Sequence, residues 1–372
     1  MRLLDRYLLR ELLIPLGYCL GGFLIFWIAF DLFSELGHMQ SQKLHGGDIA
    51  EYYAVKTPEF LVVVLPIALL LALLYTLTNH ARHHEITAMR AAGVSLWRLC
   101  RPYLAIGFAA SLALFALNEL CVPSSTDAAE RIWNRRAAGG SNPDSKWHKR
   151  QGFVNSADGR RWLIDFNAET HEMRNVYMDW RLTNGSLWVL TAARGVYRNG
   201  VWIFQSVTNH TDVPGAVLPM DNNQTNALAL PGLSETPEVI QSEINISKGL
   251  YFRSARKADI SIAEILDYLR LHPRPAQRLD RCWLYTKLYG RLAAPWTCVV
   301  VVLVAIPFGA ASGRRNVFVG VAGSIFICFT YFVLLQVGLA LGAGGYVPAA
   351  LAAWFPNLAF GLAGLCLTAR VR

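Results

Sequence analysis

Six runs of about twenty mostly apolar residues constrain this 372-residue chain more than any other feature in it. They cover residues 12–33, 58–78, 103–122, 292–311, 317–338 and 347–369. Wound as a helix, a run of that length crosses the ~30 Å hydrocarbon layer of a bilayer. A helix at the surface of a soluble core would interrupt such a run with polar residues at every turn. Composition agrees: 16% of residues are charged, against about 25% in soluble domains. A formal net charge of +9 would in a soluble chain suggest a nucleic-acid partner. Here the positions of the cations supply another explanation.

Basic residues gather on alternate connections. Arg2, Arg6 and Arg10 precede the first run, and Arg82, Arg90, Arg98 and Arg101 lie between the second and third. Arg314 and Arg315 separate the fourth and fifth, and Arg370 and Arg372 follow the sixth. On the other side, the first outer loop carries Lys43 and Lys56 against Glu35, Asp48, Glu51 and Glu59, and the connection between runs five and six is uncharged. Short cytoplasmic loops accumulate Lys and Arg. The pattern therefore predicts a multi-pass protein of the bacterial inner membrane with both termini in the cytoplasm, and it leaves no call for nucleic acid. Asp5 and Glu11 beside the N-terminal arginines, and the length of the first run, predict a retained helix in place of a cleaved signal peptide.

Between the third and fourth runs the pattern changes to strands. Trp162–Leu163–Ile164–Asp165–Phe166, Val176–Tyr177–Met178–Asp179–Trp180, Leu187–Trp188–Val189–Leu190 and Val201–Trp202–Ile203–Phe204 are rich in aromatic and β-branched residues. Asp158–Gly159, Asn184–Gly185 and Asn199–Gly200 separate them as hairpin turns. Short strands at this spacing predict an antiparallel sandwich or jelly roll. Residues 220–237 read as a loop. Residues 259–271 read as a helix with Ser261 as N-cap and Glu264 completing a capping box. The fold class expected is thus a membrane α-helical bundle of six transmembrane helices in two three-helix halves, with an inserted periplasmic β jelly-roll-like domain. Its divisions are 1–122, then 123–285 with a β core at about 147–255, then 286–372.

Few residue patterns carry chemistry. GxxxxGK[ST] is absent, so no nucleotide hydrolysis is expected from this chain. His84–Glu85 begins an HExxH pattern, but position 88 is Ala, which removes the second zinc ligand. Seven cysteines include no CxxC pair; Cys121 and Cys282 flank the outer domain, and a bridge between them stays open. No cofactor or metal is expected, and no enzyme. Residues 84–98 on the cytoplasmic side place Ile86, Met89, Gly93, Leu96 and Cys100 near helical period, with Arg90 and Arg98 elsewhere. They read as an amphipathic helix lying on the membrane, serving either as a plain connector or as a docking element whose Glu85 meets a partner's arginine. At the outer boundary, Arg131, Arg135 and Arg136 follow the third run, Lys287 and Arg291 precede the fourth, and Lys43 flanks the first outer loop. These are either snorkelling anchors or a cationic rim for an anionic amphiphile. Asp31 near the outer end of the first run is placed to pair with one of the cations.

These stretches together resemble the LptF/LptG permease family of lipopolysaccharide exporters over nearly the whole chain. Leu4–Asp5–Arg6–Tyr7–Leu8 is similar to the family's opening, and 85–95, Glu–Ile–Thr–Ala–Met–Arg–Ala–Ala–Gly–Val–Ser, to its cytoplasmic coupling segment. Ala293–Ala294–Pro295 with Ile306–Pro307–Phe308–Gly309 looks like its fourth span, and Val347–Pro348 with Trp354–Phe355–Pro356–Asn357 like its sixth. The resemblance implies an F–G heterodimer of paralogous permeases and a separate cytosolic ATPase dimer, LptB. It also implies extraction of lipopolysaccharide from the outer leaflet and transfer through a jelly-roll domain to LptC. It implies that Glu85, with Met89, Arg90 and Gly93, couples to the ATPase, and that Arg131 and Arg135 lie near substrate phosphates. Where G-type members carry lysines by the outer end of the first span, this chain has Asp31, Gly37 and His38. The opening is slightly more G-like, and the choice between F and G stays open. A different class fits the layout too: a membrane scaffold or FtsX-like mechanotransmission subunit whose outer domain binds a protein.

Overall fold

The computed structural model describes residues 3–41, 44–137, 147–167, 170–182, 185–213, 220–251, 260–272, 278–310 and 317–370. In chain order, α1 (Leu3–Ser41) and α2 (Gly46–Arg82) are followed by the short α3 (Glu85–Ala91) and by α4 (Leu96–Ala116). A π-helical turn (Leu117–Cys121) joins α4 to α5 (Val122–Ala137). Strands β1 (Trp147–Asn155), β2 (Arg160–Asn167), β3 (Glu172–Arg181), β4 (Leu187–Arg198), β5 (Val201–Asp212) and β6 (Met220–Leu230) come next, then α6 (Pro237–Tyr251) and α7 (Ile262–Leu271). The chain returns as α8 (Arg278–Ala293), a 3-10 turn (Ala294–Trp296), α9 (Thr297–Ala310), α10 (Val317–Ala343) and α11 (Ala349–Arg370). Two compact units result: Met1–Trp133 with Arg278–Arg372, and Asn134–Gln277.

Among the described residues all six apolar runs are helical, and six helices are long and apolar enough to cross a membrane. The helices outlast the runs. At 1.5 Å per residue, α1 and α2 reach about 55–60 Å, roughly twice a hydrocarbon layer, so polar turns project beyond it. Burial ranks the spans. In α2, 61% of the most apolar window is buried, and in the span from α8 into α9, 56%, against 11% in α1 and 17% in α10. Leu69, Ala72 and Leu73 of α2 and Val301, Val302 and Ala305 of α9 belong to one buried cluster. Pro295 interrupts the fourth span, where its missing N–H and fixed φ produce the 3-10 turn.

Glycines decide one helix contact. A Cβ on Gly338 would stand 2.7 Å from the carbonyl oxygen of Ala352, and one on Gly342 would stand 2.7 Å from the Ala352 Cβ and 2.9 Å from the Thr286 hydroxyl. The GxxxG pair of α10 thus lets α11 and α8 approach at backbone range.

In the inserted unit the six strands pair in chain order, each antiparallel to the next. Asn199 and Gly200, with φ of +50° and +81°, turn β4 into β5, the positive-φ pair that a two-residue hairpin requires. Trp162, Ile164, Phe166, Met178, Leu190, Trp202 and Phe204 bury on one face with Ile240 and Ile244 of α6. Two elements depart from the sequence reading. Residues 220–230, expected as loop, form β6, and α6 begins at Pro237. The stretch Asn222–Asn223–Gln224–Thr225–Asn226 lacks apolar alternation because β6 is an exposed edge strand, held to β5 by pairing such as Val207 with Thr225. Pro237 suits the first helical position, where no N–H is needed. The capping box at Ser261 and Glu264 is present as expected.

Candidate functional site

The segment 84–98 is split, and its own residues split it. His84 (φ +57°) starts the turn out of α2, and α3 is seven residues long. Gly93 at φ +83° then reverses the chain, with the Val94 amide donating to the Met89 carbonyl at 3.1 Å. The Ser95 hydroxyl accepts from the Arg98 amide and so caps α4, which starts at Leu96. The amphipathic helix expected across 84–98 is therefore a short helix, a glycine turn and the first turn of the third span.

One side of α3 is anchored inward. Ile86 is buried, and Met89 packs beside it. Both line a small apolar cavity together with Leu8 of α1, Leu77 of α2, Leu99 of α4 and Ile306 of α9. Thr87, Ala88, Arg90 and Ala91 are exposed on the other side, and Trp97 follows on the surface. That is the arrangement of a helix seated on its bundle by an apolar face, with a free face of small and cationic residues.

Glu85 opens α3, and its carboxylate is fixed from two other helices. The Tyr7 hydroxyl donates to Oε2 at 3.0 Å, and His80 Nδ1 lies 2.7 Å from the same oxygen. His80 is 1% exposed at its side chain and Glu85 33%. A further ion pair joins Arg98 at the start of α4 to Asp5 in the first turn of α1, at 3.5 Å. Tyr7, His80 and Asp5 were not found from sequence. Their partners lie up to 93 residues away, and neither helix nor strand period marks such a contact.

At the opposite ends of α1 and α2, Asp31 takes Lys56 at 3.3 Å and the Tyr53 hydroxyl at 3.1 Å. The Lys56 ammonium also stands 5.2 Å from the ring centres of both Tyr52 and Phe60, a cation–π setting. Arg291 of α8 donates to the Asn118 carbonyl at 2.9 Å and lies 3.7 Å from Glu119. A π-helical turn shifts the bonding register and exposes a carbonyl, and Arg291 meets it. Lys287 lies 5.9 Å from the Trp283 ring. Arg131, Arg135 and Arg136 belong to α5, with side chains outside the described residues, as is all of Lys43. Cys121 and Cys282 are free thiols. Among the described residues no group of three or more His, Cys, Asp or Glu side chains is placed to hold a metal.

Six helices long and apolar enough to cross a membrane, an antiparallel sheet inserted between the third and fourth, and a short helix seated between α2 and α4 define a multi-pass membrane protein among the described residues. The family model for the lipopolysaccharide export system permease LptF/LptG matches residues 6–370, nearly the whole chain. The chain belongs to that family, and it is a multi-pass inner-membrane protein of lipopolysaccharide export. No curated protein matches it.

Proposed function

We propose that this chain is the non-catalytic half of an ATP-driven lipopolysaccharide extractor, oriented with both termini in the cytoplasm. A cytosolic ATPase dimer of the LptB kind docks on the free face of α3. A paralogous F- or G-type permease completes the membrane portion, and the β domain hands lipid to LptC and a periplasmic bridge. The observation that carries this reading is the seating of α3. It bonds to α1 and α2 through Glu85 and packs over a cavity reaching α9, so a push on seven residues reaches four spans. Glu85, Met89, Arg90 and Gly93 are the coupling set: one fixed carboxylate, one apolar anchor, one exposed cation and the turn that ends the helix.

Lys56 already has its counter-charge in Asp31, and Arg291 is engaged with the π-helical turn. By the resemblance, we assign contact with lipid phosphates to the rim of Arg131, Arg135 and Arg136 with Lys43, Lys287 and Arg291. Guanidinium forks suit phosphate oxygens in pairs. The second permease fits the α1 side, where Gly17, Gly21 and Gly22 meet nothing within 4 Å and Ile25, Phe26 and Phe30 are exposed.

The test is the Glu85→Ala variant in the co-purified complex, reconstituted with lipopolysaccharide. Coupled hydrolysis is expected to fall and lipid release to fall further, so that less lipid is released per ATP hydrolysed, while subunit recovery is retained. Wild-type coupling in that variant overturns the role of α3. Photo-crosslinking from positions 131 and 135 to lipopolysaccharide, against a control on β6, tests the rim.

A further inference from the structure

Both bonds that hold Glu85 land on one oxygen. Oε2 accepts from Tyr7 and lies against His80 Nδ1, while Oε1 accepts no hydrogen bond from the described residues. The carboxylate is one-third exposed, whereas the imidazole behind it is sealed in the bundle. A surface glutamate at the start of a helix ordinarily samples several rotamers, and that freedom is lost when a partner takes it. Here two helices remove the freedom beforehand. His80 comes from the last turn of α2 and Tyr7 from the second turn of α1, so the rotamer is set by elements on either side of α3.

We propose that Tyr7 and His80 are positioning residues for energy coupling: they lock Oε2 so that Oε1 is presented to a cationic donor of the ATPase. The same two bonds make α1 and α2 move with α3. This inference rests on the coupling reading of Glu85 given above. The second leg of the clamp, Asp5 to Arg98 at 3.5 Å, ties the preceding turn of α1 to α4 on the far side of the glycine turn. The first two turns of α1 are therefore bonded to both ends of the segment 85–98. A load on α3 is shared by α1, α2 and α4 in place of being absorbed by the Gly93 turn.

The geometry distinguishes the two ring nitrogens of His80. Nδ1 faces Glu85, and Nε2 is buried without a partner among the described residues. An asparagine reproduces a donor at the Nδ1 position, and a leucine fills the space without one. The experiment uses the full complex of both permeases and the ATPase in proteoliposomes containing lipopolysaccharide, and measures lipid released per ATP hydrolysed. Subunit recovery is checked for each variant. Tyr7→Phe, which removes one hydroxyl, and His80→Leu are each expected to lower that ratio by about three- to tenfold, the range of an ordinary net hydrogen bond. His80→Asn is expected to recover most of the His80→Leu loss. In a Glu85→Gln background, Tyr7→Phe is expected to add a smaller loss than it causes in the wild type, because the bond it removes there has already lost its charge. Wild-type ratios in Tyr7→Phe and His80→Leu, with Glu85→Ala impaired, overturn the positioning role and leave the coupling role standing. A wild-type ratio in Glu85→Ala overturns both. Equal losses in His80→Asn and His80→Leu, or full additivity of Tyr7→Phe with Glu85→Gln, assign these side chains to packing and overturn the proposal.

Discussion

The side-chain amide of Asn357 donates to the backbone carbonyl of Ala293 at 2.8 Å, fastening the sixth span to the fourth at the Pro295 break. Its oxygen accepts from the Tyr331 hydroxyl of α10, which also meets the Thr297 hydroxyl at 2.9 Å. Three spans thus share one buried polar knot, and each named group in it has a partner. In hydrocarbon no water replaces a lost bond. Asn357→Leu is expected to lower the resistance of the detergent-solubilised chain to unfolding by about 1–2 kcal/mol, and Tyr331→Phe by less than that. Denaturant titration followed by helical circular dichroism measures both. Equal stability of Asn357→Leu and wild type would show that the knot fixes register without adding stability.

A comparable knot closes the β domain. Glu235, 0% exposed, accepts from Arg160 Nε at 3.1 Å, Asn155 Nδ2 at 2.8 Å and Trp162 Nε1 at 3.2 Å. Its own carbonyl accepts from Trp202 Nε1 at 2.6 Å. Removing one member of a buried ion pair strands the other charge, at a cost of about 3–5 kcal/mol. Glu235→Ala is expected to unfold the β domain at lower denaturant than Glu235→Gln. Because Trp162 and Trp202 both touch this residue, tryptophan emission reports the transition directly.

How much of this was legible in the sequence follows from the range of the contacts. The six spans announce themselves through twenty consecutive residues, and Asn199–Gly200 and Ser261 with Glu264 act within four. Each of these appeared as expected. The edge strand β6 did not announce itself, because residues 223–227 are exposed and only Leu228 and Leu230 at its end pack on the core, too short a stretch to show alternation. The break of 84–98 into α3 and α4 was present in Gly93 and Ser95, but the apolar period ran across both and dominated. Tyr7 and His80 were silent for another reason: Tyr7 sits 78 residues from its acceptor, and His80 reaches Glu85 across a turn whose geometry depends on the positive φ of His84.

Glu243 makes the β domain sensitive to pH. Burial pushes its carboxyl from 4.5 up to about 8, and burial lowers His272, whose Nδ1 stands 3.6 Å away. The fold therefore holds the Glu243 proton more tightly than the unfolded chain does. The stability this confers is complete below about pH 4.5 and is lost as pH rises towards about 8. His272 runs the other way, losing its contribution as pH falls below 6.5 towards its lowered value. Glu243→Gln removes the first slope only. Hydrogen-exchange protection of α6, compared between wild type and Glu243→Gln at the same pH, is expected to favour the variant increasingly from pH 5 to 8. The gap grows by at most about 1.4 kcal/mol per unit. A gap constant with pH would mean that the carboxyl titrates alike in both states.

The two glycine pairs of the membrane unit separate the chain's own packing from packing against a partner. Gly342→Leu drives a side chain into Ala352 and Thr286, each already within 3 Å of where a Cβ would sit. Overpacking of this kind costs about 1–3 kcal/mol, so the purified chain itself is expected to unfold earlier. A Cβ added at Gly21 meets nothing within 4 Å, so the stability of the chain alone is expected to stay near the wild-type value in Gly21→Leu. If the paralogous permease packs on this face of α1, close approach through Gly17 and Gly21 is what the added side chain blocks. Co-purification with the second permease is then expected to fall several-fold in Gly21→Leu while the stability of the single chain stays at the wild-type value. Unchanged recovery of the pair would move the subunit interface to another face of the bundle.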